Sequence, residues 1–305
     1  MKKFPPKPRR PAGRRDQVSA SEDRRRPRFS RTLSVLYEDD AVVVLDKPAG
    51  LLAVPVEGSD HPSALSLLKA RLEPRKQRAL VVHRIDRFAS GALLFAKTGL
   101  DRNALVKQFL AHTPARRYLA VVRGRVDAQT GTVAHYFRRD GMFQQLRTAK
   151  DPRAARAELR FTVERVLADA TLVRVELVTG FQNQIRAQFS AMGHPLIGDR
   201  KYHHEEASEP LIDRVALHAA HLEFVHPRSG KTISVECKLP ADFEHLIREL
   251  SRQNPTEQRR DVVPTTSKRS HAPLHREKID GHQDQEQSVH PKHHRRRKYG
   301  NKPSR

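Results

Sequence analysis

Between Leu80 and Thr98 the chain runs LVVHRIDRFASGALLFAKT, and no other stretch restricts the fold as much. Two apolar runs, Leu80 to Val82 and Ala92 to Ala96, enclose the ionisable side chains His83, Arg84, Asp86 and Arg87 and then a small-residue corner, Ala89-Ser90-Gly91. Apolar runs this short are expected as buried strands, with Ser-Gly as the turn between them. Such a hairpin-like element holds Asp86 at the mouth of a sheet, between Arg84 and Arg87. A carboxylate flanked by two guanidinium groups is favoured in its charged form, which suits a nucleophile better than a general acid. From composition alone, a solvated turn with ordinary surface ion pairs is the favoured reading of the same residues.

The rest of the body follows an α+β pattern. Val42 to Leu45 is expected as a buried strand leading into a Lys47-Pro48-Ala49-Gly50 turn, and Ser63 to Leu72 as an amphipathic helix closed by Pro74. Leu105 and Phe109 mark a second helix within Leu100 to Leu110, before a strand from Arg116 to Gly124. Gly131 to Ala149 is expected as two short strands whose loop carries Arg138, Arg139 and Lys150, facing phosphates or water. Ala157 to Val166 and Ala170 to Val178 are the clearest strands, since Val173, Val175 and Leu177 alternate with charged residues. Ile185, Phe189 and Met192 begin a helix that Gly193 ends. A strand over Leu217 to Pro227, another over Lys231 to Pro240, and a helix carrying Phe243, Leu246, Ile247 and Leu250 complete the body.

Charge narrows the partners. The formal net charge is +23, with 12 Lys/Arg against 3 Asp/Glu in residues 1 to 32 and 14 against 6 in residues 252 to 305. Basic ends on a mildly basic body are the pattern of a protein that meets a polyanion. No apolar run approaches the ~18 residues of a spanning helix, and no signal peptide follows the basic start, so a cytoplasmic protein without a membrane partner is expected. The one cysteine, Cys237, excludes an internal disulfide and a cysteine-rich metal site. His203-His204-Glu205-Glu206 and His293-His294 offer metal ligands, but adjacent residues in a polar loop seldom converge on one ion, and no metal is expected.

The central stretch resembles the HRLDxxTSGLLLFAK signature of the RluA-type RNA pseudouridine synthases. Further matches follow in family order: the KPxG turn at Lys47, KxYLAxVxG at Arg116 to Gly124, GRxHQIR at Gly180 to Arg186, GHPIxGDxxY at Gly193 to Tyr202, and LHAxxLxFxHP at Leu217 to Pro227. Together they span about Val35 to Pro240. The resemblance implies an α+β pseudouridine synthase catalytic fold over residues 33 to 250, a mixed, mostly antiparallel sheet with flanking helices and a central basic cleft. A disordered basic arm, residues 1–32, precedes it in place of the family's accessory RNA-binding domain, and a disordered basic tail, residues 251–305, follows.

The resemblance also implies the chemistry: specific uridines in structured RNA become pseudouridine, ribosomal RNA being favoured over transfer RNA, on a monomer needing no cofactor. Asp86 is then the catalytic aspartate, attacking the ribose anomeric carbon or carbon 6 of the base. Arg186 is its charge partner, and Tyr118 stacks on uracil with its hydroxyl placed to help a proton leave. The implied substrate-binding set is Lys47, His83, Arg84, Arg87, Asn183, Gln184 and Ile185, with Arg84 filling the space of the departed base or contacting a phosphate. Three positions depart from the family pattern: Phe181 stands where a basic residue is usual, Asn183 where His is usual, and Ala89 where Thr is usual. The alternative reading is a noncatalytic RNA-binding or ribosome-assembly protein on the same fold.

Overall fold

Two strands near the start of the body and two from its centre form the first half of the sheet. In the computed structural model, which describes residues 33–141, 143–202 and 211–253, β1 (Ser34–Glu38) pairs antiparallel with β2 (Val42–Lys47). The central stretch supplies β3 (Leu80–Val81) and β4 (Ser90–Ala96), joined by the His83 to Ala89 loop, and β4 pairs with both β2 and β3. Every residue of β4 is buried, because this half of the sheet is covered on both faces. Val43, Leu45, Leu93 and Phe95 pack under α1 (Ala64–Leu72), while Val42, Val44, Leu94 and Ala96 face α2 (Gly99–Leu110) through Leu105. A strand covered on both faces reads as a continuous apolar run, which is what VVVL and ALLFA are. Ser63 caps α1 with a reciprocal bond to Ser66.

The second half is built from β5 (Ala115–Arg123), β6 (Thr130–Asp140), β7 (Phe143–Arg147), β8 (Ala155–Leu167) and β9 (Ala170–Leu177). β10 (Leu217–Val225) joins the halves, giving the order β1-β2-β4-β10-β5-β9-β8-β6-β7, with β11 (Thr232–Glu236) against β10. The junction of β10 with β4 is parallel, whereas the other named strands pair antiparallel. Side chains of β5 alternate between two cores. Tyr118, Ala120 and Val122 meet Ile185 and Phe189 of α3 (Gln184–Ala191), and Val121 meets Phe243, Leu246 and Leu250 of α4 (Ala241–Arg252). Cys237 is buried in the core beside β11. The α+β architecture and mixed, mostly antiparallel sheet expected from the sequence are present. The basic arm and tail expected at residues 1–32 and 251–305, and the His203 to Glu206 and His293-His294 segments, lie outside the described residues apart from 251–253.

The parallel junction positions the loop that carries Asp86. At its start Gly91 has φ +112°, and a Cβ there would come within 2.3 Å of the Ala219 carbonyl oxygen. Beside it, Ser90 Oγ and His218 Nδ1 are 2.9 Å apart, and His218 Nε2 lies 3.1 Å from the Cys237 carbonyl oxygen. Burial lowers the His218 pKa, so the neutral ring donates from Nε2 and accepts the Ser90 hydroxyl at Nδ1. Gly91→Ala is therefore expected to cost about 2–3 kcal/mol through backbone strain and overpacking. Urea denaturation checks this, and an unchanged midpoint would show that the junction yields without loss.

Candidate active site

The loop between β3 and β4 projects Asp86 from two buried anchors. Ile85 and Ala89 both enter the core shared with α3, so Asp86 between them faces a cavity of about 480 Å³ while remaining 19% exposed. From behind, the Lys47 to Gly50 turn clamps the loop. Lys47 Nζ donates to the carbonyl oxygens of Pro48 (2.9 Å), Leu51 (2.9 Å) and Arg87 (3.1 Å), and Gly50 N–H donates to Arg87 O. Three carbonyl acceptors use all three ammonium donors, while burial, partly opposed by the Asp86 charge, lowers the Lys47 pKa to about 7. Lys47, expected as a cleft residue, is fully buried and supports the loop instead.

Arg186 reaches Asp86 from the start of α3. Its Nη1 donates to Asp86 Oδ2 at 3.4 Å and to Asn183 Oδ1 at 3.1 Å. The tighter partner is Asp199, which accepts from Nε at 2.7 Å and from Nη2 at 2.6 Å. Asp199 Oδ1 also accepts from the backbone N–H groups of Lys201 and Tyr202. Burial pushes the Asp199 carboxyl up, but the Arg186 hydrogen bonds and charge together with those N–H groups hold it below the usual carboxylate range. For Arg186, burial is likewise outweighed by Asp199 and then Asp86, and the guanidinium is held charged. The expected Asp86–Arg186 pair is thus the weaker side of an Asp86–Arg186–Asp199 chain. The Tyr202 ring, 5.4 Å from the Arg186 guanidinium carbon, closes it.

Tyr118 enters the same cavity from β5, 8% exposed and packed in the α3 core. Burial, with the Asp86 charge adding and Arg116 opposing, raises its pKa to about 12, so the hydroxyl is a phenol at neutral pH. Leu177, Ile185 and Leu217 give the cavity apolar walls, and Arg84 and Phe181 stand at its exposed rim.

Two further expected contacts, Arg87 and Gln184, are corrected by the geometry, while His83 keeps a place in the cavity wall as a neutral ring. His83 lines the cavity but accepts a hydrogen bond from Leu94 N–H and stacks on Phe109, with ring centroids 4.5 Å apart. Burial, and secondarily Arg116, lowers its pKa to about 3, so it is a neutral wall and no cationic contact. Arg87 turns away from the cavity, donating from Nε to Gly50 O and lying over the Phe88 ring. Gln184 is saturated within the protein: Oε1 accepts from Thr179 Oγ1 and Phe181 N–H, and Nε2 donates to Glu158 O and Gln188 Oε1. It braces the loop before α3, as does Asn183, whose φ of +54° suits a short polar side chain.

Residues 41–191 match the family model described as RNA pseudouridylate synthase. The ribosomal large subunit pseudouridine synthase D of Zymomonas mobilis is 33% identical over 234 residues, covering 73% of this chain and 74% of the relative. The chain belongs to the RNA pseudouridylate synthase family. This RNA pseudouridine synthase is also 35% identical over 217 residues to ribosomal large subunit pseudouridine synthase C of Vibrio cholerae, covering 70% and 68% of the two chains. The dual-specificity RNA pseudouridine synthase RluA of Vibrio vulnificus is 31% identical over 220 residues, covering 70% and 86%. In fold, the enzyme resembles the solved human RNA pseudouridylate synthase domain containing 4, at TM-score 0.59 and 21% identity over 71% of this chain and 92% of that one. The RluA-type resemblance and the enzyme class expected from the sequence are thereby established.

Asp199 is the residue that sequence reasoning missed. It sits in the matched GHPIxGDxxY turn without a role, although an acid after a turn glycine was a usable signal: Gly198 has φ +71°, and a Cβ there would meet Arg214 O at 2.0 Å.

Proposed function

We propose that the enzyme isomerises specific uridines of structured ribosomal RNA, with Asp86 as the nucleophile. The observation that carries this is Asp86 at an apolar-walled cavity, aligned by an arginine that a second, buried carboxylate holds in place. The reaction breaks the bond between N1 of uracil and the ribose anomeric carbon and makes a new one from carbon 5. N1 gains a proton and carbon 5 loses one, so electrons and protons balance within the substrate. Asp86 begins this by attacking the anomeric carbon or carbon 6 of the base. Arg186 orients Asp86 without monopolising it, because its two shorter bonds go to Asp199. Tyr118 stacks on the flipped base, and its phenol donates a hydrogen bond to the detached ring while a proton moves between carbon 5 and N1.

The base must leave its stack to reach the cavity, which costs a few kcal/mol. Arg84 at the rim fills the vacated space or meets a phosphate, and the basic residues 1–32 and 251–305 add sequence-independent affinity that weakens with salt. Ribosomal RNA is favoured by that charge and by the names of the relatives from Zymomonas mobilis and Vibrio cholerae. The protein acts as a monomer in the cytoplasm on this reading, and none of its described helices is long and apolar enough to cross a membrane. Purified enzyme incubated with unmodified ribosomal and transfer RNA is expected to form pseudouridine at one or a few ribosomal positions when products are mapped by site. Product in transfer RNA alone would contradict the substrate assignment.

A further inference from the structure

Arg116 is a cation in this site that the chemistry above leaves without a task. It lies on the same face of β5 as Tyr118, one two-residue step or about 7 Å along the strand. Only 7% exposed, it forms part of the cavity wall. Its Nη2 makes two long contacts of 3.4 Å, to the carbonyl oxygens of Leu177 and Thr179, and its Nε is buried with no hydrogen-bond partner. No carboxylate pairs with it among the described residues. Apart from the Phe109 ring, 5.8 Å from its guanidinium carbon, the buried charge is poorly compensated, and burial accordingly pushes the guanidinium pKa down. The fold nevertheless leaves it room: a Cβ at Gly180 would come within 2.5 Å of Nη1.

We infer that Arg116 receives a phosphodiester oxygen of the RNA next to the target uridine. This deepens the proposed function and rests on it. The bound uracil is neutral, whereas a phosphodiester is a permanent anion, and a planar guanidinium presents paired N–H donors that match phosphate oxygens. Beside Arg116 the cavity wall is Phe109, 5.8 Å from the guanidinium carbon, and on the same lining Leu110 is 74% exposed, so a backbone can arrive from solvent. Asp86, Tyr118 and Ile185 line the same cavity, which leaves the base with them and the phosphate at Arg116.

The test is a binding cycle on a hairpin RNA bound by the full-length protein, each phosphate replaced in turn by a neutral methylphosphonate. Arg116→Gln is expected to weaken binding at least ~10-fold, as for a lost charge-assisted hydrogen bond, and to flatten the log–log salt slope by about 0.7 to 0.9. One methylphosphonate, beside the converted uridine, should weaken wild-type binding equally and the variant no further. The loss should fall on affinity and KM more than on kcat, since the contact is the same in ground and transition states. Arg116→Lys, which keeps the charge and much of the packing, should retain the salt slope. Additive losses at every phosphate, or an unchanged slope with lowered turnover, would overturn the inference in favour of a contact to the base. Binding is read separately from conversion, so an RNA that binds without being converted would count against the proposed reaction while the phosphate cycle still decides this one.

Discussion

Asp86→Asn is expected to lower pseudouridine formation by about 10⁴-fold or more at saturating RNA, with RNA affinity held within about threefold. The amide matches the carboxylate in size, and Ile85 and Ala89 keep the loop anchored in the core, so the shape of the cavity should survive. Arg186 also stays in place, because Asp199 holds two of its nitrogens independently of Asp86. What disappears is the proposed nucleophile. Single-turnover kinetics beside an RNA titration separate the two effects, and a variant within tenfold of the wild type would remove Asp86 from the chemistry.

Asp199→Asn should damage both stability and turnover. Its side chain is fully buried and accepts from two Arg186 nitrogens and two backbone N–H groups. Removing one member of a buried ion pair costs about 3–5 kcal/mol, which for a body of this size lowers the melting temperature by roughly 6–20 °C. In molecules that remain folded, Arg186 has Asp86 as its remaining carboxylate and is drawn onto it. The proposed nucleophile is then both misplaced and more tightly paired, and turnover should fall by about 10²-fold. Melting and activity measured together check this; a stable variant with full turnover would show that Asp199 neither holds the arginine nor positions Asp86 through it.

Much of the fold was legible where burial imposes a period. Alternation in β9 and the doubly covered runs of β2 and β4 stand out, whereas β1, Ser34–Glu38, was not recognised because it is only part-buried and runs into Glu38-Asp39-Asp40. The β4–β10 junction joins residues 128 positions apart, His218 against Ser90, and no local pattern encodes it. Asp86, Tyr118 and Arg186 could be singled out because their motifs resemble known ones, and the structure puts Asp86 and Tyr118 at one cavity with Arg186 bonded to Asp86. The roles of Lys47 and Gln184 could not be read, since a motif does not show that all the hydrogen bonds of a polar side chain are satisfied inside the protein. Asp199 escaped for a related reason: its pairing with Arg186 depends on a turn that folds thirteen residues back.

The central claim is that Asp86, aligned by Arg186 and Asp199, carries out uridine isomerisation. It is tested most directly by mapping pseudouridine at single-nucleotide resolution in one pool of unmodified ribosomal RNA, divided among wild type, Asp86→Asn and Asp199→Asn. The account predicts conversion at one or a few uridines by the wild type, slower conversion at the same positions by Asp199→Asn, and none by Asp86→Asn. Full conversion by Asp86→Asn would contradict it.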